Sequence, residues 1–152
     1  MKSLALARDK AEVLGRLRTV RPDSPRRWGW MTAPQMVCHL SDAFRVALGL
    51  KDASPVAVPI PRAIVRWMAL YLPLPWPAGI PTWPEIDQRR GGTSPASFAA
   101  DIATLEELIE QFTESAGGLH GRRHFTLGPM SQAEWLRWAY LHMDHHMRQF
   151  GA

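Results

Sequence analysis

Cysteine is almost absent: Cys38 is the single one in 152 residues, so no disulfide framework can form and a reducing cytoplasm is the expected compartment. Long apolar runs are missing too. The most apolar stretch, Ile64 to Trp76, is interrupted by Arg66, Pro73 and Pro75 and falls short of the roughly 20 residues that cross a bilayer. Met1 to Val20 is a charged amphipathic stretch rather than a basic cap before a continuous apolar run, so no secretory leader is expected. Strand-like alternation, internal repeats and low-complexity tracts are lacking. So are a serine nucleophile motif, a phosphate-binding glycine loop and a dinucleotide fingerprint; Gly91-Gly92 and Gly117-Gly118 read as helix-boundary loops. The formal charge of +4 comes almost wholly from arginine, and the pairs Arg26-Arg27, Arg89-Arg90 and Arg122-Arg123 fall in expected loops. They line no single helix face and do not interleave with aromatics, so neither nucleic acid nor a membrane is expected as a partner.

What the chain does have, 46% hydrophobic residues over 152 positions, suffices for one core, and a single domain over 1–152 is expected. Leu4, Ala7, Ala11, Leu14 and Leu17 recur at helical spacing, giving a first helix from Leu4 to Val20 that Arg21-Pro22-Asp23-Ser24-Pro25 stops. Thr32-Ala33-Pro34-Gln35 combines a hydroxyl cap, an early proline and a glutamine three residues on, so a second helix runs over about residues 32–49 and ends at Gly49. Ser94-Pro95 opens a third long helix that ends at Gly117-Gly118, with Phe98, Ile102, Leu105, Leu108, Ile109 and Phe112 on its apolar face. Ser131-Gln132-Ala133-Glu134 has capping-box spacing and starts a last helix that reaches about Phe150. Between Pro55 and Pro95 lie nine of the 13 prolines with Trp67, Trp76 and Trp83, a long connection with room for a short helix near Pro61 to Tyr71. Such a connection usually has a task, and its tryptophans are expected to pack as a lid or side wall, shielded from solvent. The expected fold is all-α, a four-helix bundle with a long connection between its second and third helices.

Three of the six histidines crowd into His142-Met143-Asp144-His145-His146 on the last helix. At about 100° per residue, His142 and His146 differ by about 40° and stack one turn apart, a spacing that lets two imidazoles share an ion. His145 is also a neighbour of His142, but it falls near about −60°, toward Arg148 and Arg137, whereas His146 lies in the apolar sector with Trp135 and Ala139. The ligand pair is therefore His142 and His146, with His145 at the rim or surface. Two neutral nitrogens hold a metal weakly, and a third must come from a facing helix, where His39 borders the apolar stripe of helix two. His120 and His124 read as surface loop residues about one bundle length from His146, and Cys38 as a small core residue. Gln149 and Asp42 are candidates to orient the ligands by hydrogen bonds. Because ligating nitrogens must be unprotonated, metal binding is expected to fall near about pH 6.5.

The phrases Trp30-Met31-Thr32-Ala33-Pro34-Gln35-Met36-Val37-Cys38-His39-Leu40 and His142-Met143-Asp144-His145-His146-Met147-Arg148-Gln149-Phe150-Gly151 resemble the DinB/YfiT-like superfamily of metalloenzymes. Within it, they resemble a branch known mainly as a domain of unknown function. The stretches from Gly92 to Phe98 and from His124 to Met130 look like the same branch. The resemblance implies a bundle with a divalent ion, zinc or nickel, on His39, His142 and His146. Some members of the superfamily are thiol transferases or isomerases that use bacillithiol, mycothiol or glutathione, which implies a small-molecule substrate and a low-molecular-weight thiol as partner. The proline-rich middle, Ala53 to Gly92, departs from the compact bundle.

Two functional classes follow. Three neutral ligands leave an ion its full charge and an open position, as in catalytic rather than structural sites, which points to a metal-dependent transferase or hydrolase. The ligand face of the last helix carries no acidic residue, which counts against a protease-like hydrolase. The alternative is a non-catalytic metal- or ligand-binding bundle whose Trp/Pro-rich segment forms a homodimer contact.

Overall fold

The computed structural model describes residues 1–54 and 59–152, so the start of the proline-rich connection lies outside the described residues. The described chain is predominantly helical: α1 (Ala7–Leu17), α2 (Ala33–Leu48), α3 (Arg62–Tyr71), α4 (Phe98–Glu114) and α5 (Gln132–Gln149). Single 3-10 turns lie at Pro84–Ile86 and Ala116–Leu119. No helix among the described residues is long and apolar enough to cross a membrane.

The two best-formed starts are those whose caps the sequence spells out. Thr32 accepts from the Gln35 amide while the Gln35 side chain accepts from the Thr32 amide, and Ser131 and Glu134 do the same for α5. Each box satisfies two amide donors that a helix start otherwise leaves orphaned. Gly49 ends α2 at φ 76°, a left-handed conformation open to glycine at little cost.

Other boundaries differ from expectation. α1 is confined to Ala7–Leu17, although Leu4 is buried and its amide donates to the Leu136 carbonyl, so the first residues pack without being helical. α4 starts at Phe98, not at Ser94-Pro95, because the Asp101 carboxylate accepts from the Ala96 amide and holds the preceding chain extended. A two-residue antiparallel pair, β1 (Arg123–His124) with β2 (Gly128–Pro129), replaces the featureless loop expected there.

α2 packs on α4 and α1 on α5, while α5 also touches α2 and α3. Phe44, Phe112, Trp135, Leu40, Ile109 and Met143 are buried at the centre, and the Phe44 and Phe112 rings meet edge to face at 5.2 Å. Each such side chain contributes about 1.5–3 kcal/mol through removal from water. α3 is held by Leu70, fully buried, and by Arg66, which pairs with Glu134 and donates to the Pro129 carbonyl. Trp67 on this helix is 56% exposed, contrary to the expected shielding, whereas Trp76 and Trp83 pack against the core. A helix lying on the helical core by one face must turn its other face outward, and Trp67 is on that other face.

Candidate metal centre

α2 and α5 bring His39, His142 and His146 together, each buried, with one nitrogen from each ring within 4.8 Å of the others. Hydrogen bonds fix the tautomers of two of them. His39 Nδ1 lies 2.9 Å from the Ile86 carbonyl oxygen, which can only accept, so Nδ1 carries the proton and Nε2 presents a lone pair. Gln149 Nε2 donates to the Trp28 carbonyl at 3.0 Å, which turns Gln149 Oε1 toward His146 Nδ1 at 2.8 Å. His146 must then donate from Nδ1, and its Nε2 too is left with a lone pair.

His39 Nε2 and His142 Nε2 face each other at 3.2 Å. Two nitrogens each about 2.0–2.1 Å from one tetrahedral zinc lie about 3.4 Å apart, so this pair is spaced for a shared ion. The third nitrogen lies within 4.8 Å of the other two. Burial lowers the pKa of His39, and it lowers His142 and His146 well below the ordinary value of 6.5, with the neighbouring imidazoles adding to the effect. Three neutral imidazoles, two of them held with an Nε2 lone pair toward the cluster, are a donor set that fits a divalent cation.

The turn that carries Ile86 is short and tightly closed. Gly91 and Gly92 amides donate to the Pro84 and Asp87 carbonyls, and a Cβ on Gly92 would come within 2.7 Å of the Asp87 carbonyl carbon. The Gly91-Gly92 pair therefore shapes the contact that orients His39. Gly29, at φ 75°, likewise lies where a Cβ would meet Gln149 Nε2 at 2.8 Å.

Three expectations fail at the edges of the site. His145 is buried rather than on the rim, its ring packed between Trp28 at 5.8 Å and Trp76 at 6.2 Å. Burial pushes its pKa down to about 4. A helical wheel sees only the helix-on-helix core, while here the 28–31 loop and the arm after α3 add a second layer over α5. His124 is buried too, stacked on Phe125 at 4.1 Å and 5.2 Å from Trp138, with its Nδ1 accepting from the Thr126 and Leu127 amides. Desolvation takes its pKa to about 3. His120 is exposed, as expected. Asp42 does not touch His39: it accepts from the Thr93 amide and hydroxyl, both at 2.7 Å, and pairs with Lys51 at 3.0 Å and Arg45 at 3.1 Å. Burial alone would raise its pKa, but these bonds hold it below the usual carboxylate value. Cys38 is buried, and desolvation raises its thiol to about 11, which fits a core residue and not a nucleophile.

The histidines form one wall of a cavity of about 860 Å³ among the described residues. Met68 and Val65 of α3, Leu74 and Trp76 of the arm, and Trp138 of α5 supply much of the remainder.

A family model described as a protein of unknown function (DUF1569) matches residues 90–152, a span that contains His142 and His146 but not His39. No curated protein and no solved structure matches the chain.

Proposed function

We propose that the chain is a DinB-like metal-binding protein, with α1, α2, α4 and α5 as the four helices of the bundle and α3 as an addition to it. In this reading it is a metal-dependent enzyme acting on a small molecule, with a divalent ion, zinc or nickel, held by His39, His142 and His146. The observation that carries it is the 3.2 Å approach of two Nε2 atoms, with the His39 proton committed to Ile86 on the opposite side of the ring. Without an ion, His142 Nε2–H can donate to the His39 lone pair across this contact; with the His142 proton on Nδ1 instead, both Nε2 lone pairs are free to meet one cation. When bound, an ion held by three neutral ligands supplies the positive charge that makes a thiol or a water acidic near neutral pH. The chain's own part is to fix the tautomers through Ile86 and Gln149, to exclude bulk water with Trp28 and Trp76, and to leave one side of the histidine cluster facing the cavity. No aspartate or glutamate lines that cavity among the described residues, which favours transfer to a soft nucleophile over hydrolysis assisted by a carboxylate base.

The test is a titration of metal-free protein with zinc and with nickel, followed by an assay of small thiols against model electrophiles with and without the ion. Binding at one ion per chain with metal-dependent turnover is the expected result. One-to-one binding without turnover would instead favour a non-catalytic bundle that dimerises, a second reading supported by Ile64, Trp67 and Tyr71, which expose 50%, 56% and 42% of their surface along α3.

A further inference from the structure

The cavity beside the histidines has a chemistry of its own. None of its lining residues is aspartate, glutamate, lysine or arginine among the described residues, although the whole chain is rich in arginine. Its mouth is apolar as well: Leu74, Ile80 and Met68 line it while remaining 67%, 48% and 41% exposed. Large apolar side chains held open to solvent around a concave surface mark a place where an apolar body is received.

The unpartnered nitrogens of lining residues do not change this. Trp28 Nε1, Trp83 Nε1 and His124 Nε2 are buried out of reach of a molecule in the cavity. Among the lining side chains an ammonium finds no carboxylate, and a carboxylate would lose its hydration with no lysine or arginine to replace it.

From these features, and resting on the metal-site reading above, we infer that the cavity takes an uncharged, predominantly apolar molecule, aromatic or branched aliphatic, whose donor atom faces the three histidines. A charged thiol such as glutathione, with two carboxylates and an ammonium, does not fit it. The specificity lies in what the cavity omits, since one unpaired buried charge outweighs the apolar contact such a ligand could gain.

The inference is tested on the full chain loaded with cobalt(II), where a thiolate reaching the metal gives a near-ultraviolet charge-transfer band. Phenylmethanethiol, its para-carboxylate and glutathione are titrated in parallel, and intrinsic tryptophan fluorescence is followed for the same three thiols on metal-free protein. The neutral thiol should half-saturate the band at a concentration on the order of 100-fold below either charged one. In the metal-free protein it should perturb the fluorescence of Trp28, Trp76, Trp83 and Trp138 more strongly than they do. Met68→Arg, a change on the half-exposed rim, should narrow the gap between phenylmethanethiol and its carboxylate. Equal or tighter binding of glutathione or the carboxylate, with cobalt in place, would overturn the substrate class and leave the metal site standing. If cobalt fails to bind, the metal-site reading falls, and the fluorescence series alone decides whether the cavity prefers neutral ligands.

Discussion

At the residue scale the site depends on which nitrogen of each ring holds its proton. The expected order of metal binding among four single variants follows directly. His39→Ala, His142→Ala and His146→Ala should each weaken binding severely, while His145→Ala should bind nearly as well as the parent, as measured by calorimetric titration. Release of the metal by His145→Ala with retention by His146→Ala would show the wrong pair had been assigned on α5. The pH dependence is less simple than a free imidazole suggests. Burial already keeps the three rings neutral below 6.5, so the midpoint of metal loss should lie below that value, a shift that the sequence reading near 6.5 could not include. His124 gives a separate signal in metal-free protein. Its folded-state value of about 3 lies below the ordinary 6.5, so the unfolded chain takes up a proton that the folded chain refuses. Stability is therefore full above about 6.5 and falls as pH drops toward 3, by about 1.4 kcal/mol per pH unit for this one group. His124→Asn, whose Oδ1 can accept from the same Thr126 and Leu127 amides, should show a shallower decline between pH 7 and 5 in urea denaturation. Identical slopes in the two proteins would remove His124 as a contributor.

Helices were legible wherever the sequence writes both the periodicity and the stop. α2 and α5 fall within a residue of expectation, and they carry the histidines, so helical spacing anticipated that His142 and His146 share a face, with His39 placed opposite by the stripe of α2 and by the resemblance. What spacing could not reveal is how non-helical segments return to the helical core. The burial of His145 and His124, the diversion of Asp42 to Thr93, and the Ile86 contact to His39 all arise from loops that no periodicity locates. Prolines and glycines mark those loops without saying where they go. The 84–92 turn is the clearest case: its two glycines read as a helix boundary, yet they let Pro84–Ile86 fold back against α2. Gly92→Ala should push this turn away from His39 and weaken metal binding severalfold while circular dichroism keeps its helical amplitude. Parent-like affinity in that variant would mean the Ile86 carbonyl is dispensable for orienting the ring. On α3, Leu70→Ala removes the one fully buried anchor and should cost about 2–5 kcal/mol in denaturant unfolding.

The molecule as a whole places the three-histidine cluster where α2 and α5 meet, under a second layer formed by α3, the arm and the 28–31 loop. A site assembled from two distant helices ties ligand binding to global folding, because the unfolded chain cannot hold three histidines about one point when His39 is more than a hundred residues from His142. Metal that binds only the folded state stabilises it by about 2.7 kcal/mol at a free concentration 100 times the dissociation constant. For a chain of this length each kcal/mol raises the melting temperature by about 2–4 °C, so zinc or nickel should raise it by about 5–10 °C, and a chelator should reverse the rise. The same experiment on His39→Ala separates cause from coincidence. If the ion acts through the three-histidine site, the shift should vanish in that variant while its metal-free melting point remains measurable. An equal shift in parent and variant would place the stabilising ion elsewhere, and the 3.2 Å approach of His39 and His142 would then be an ordinary hydrogen bond between two rings.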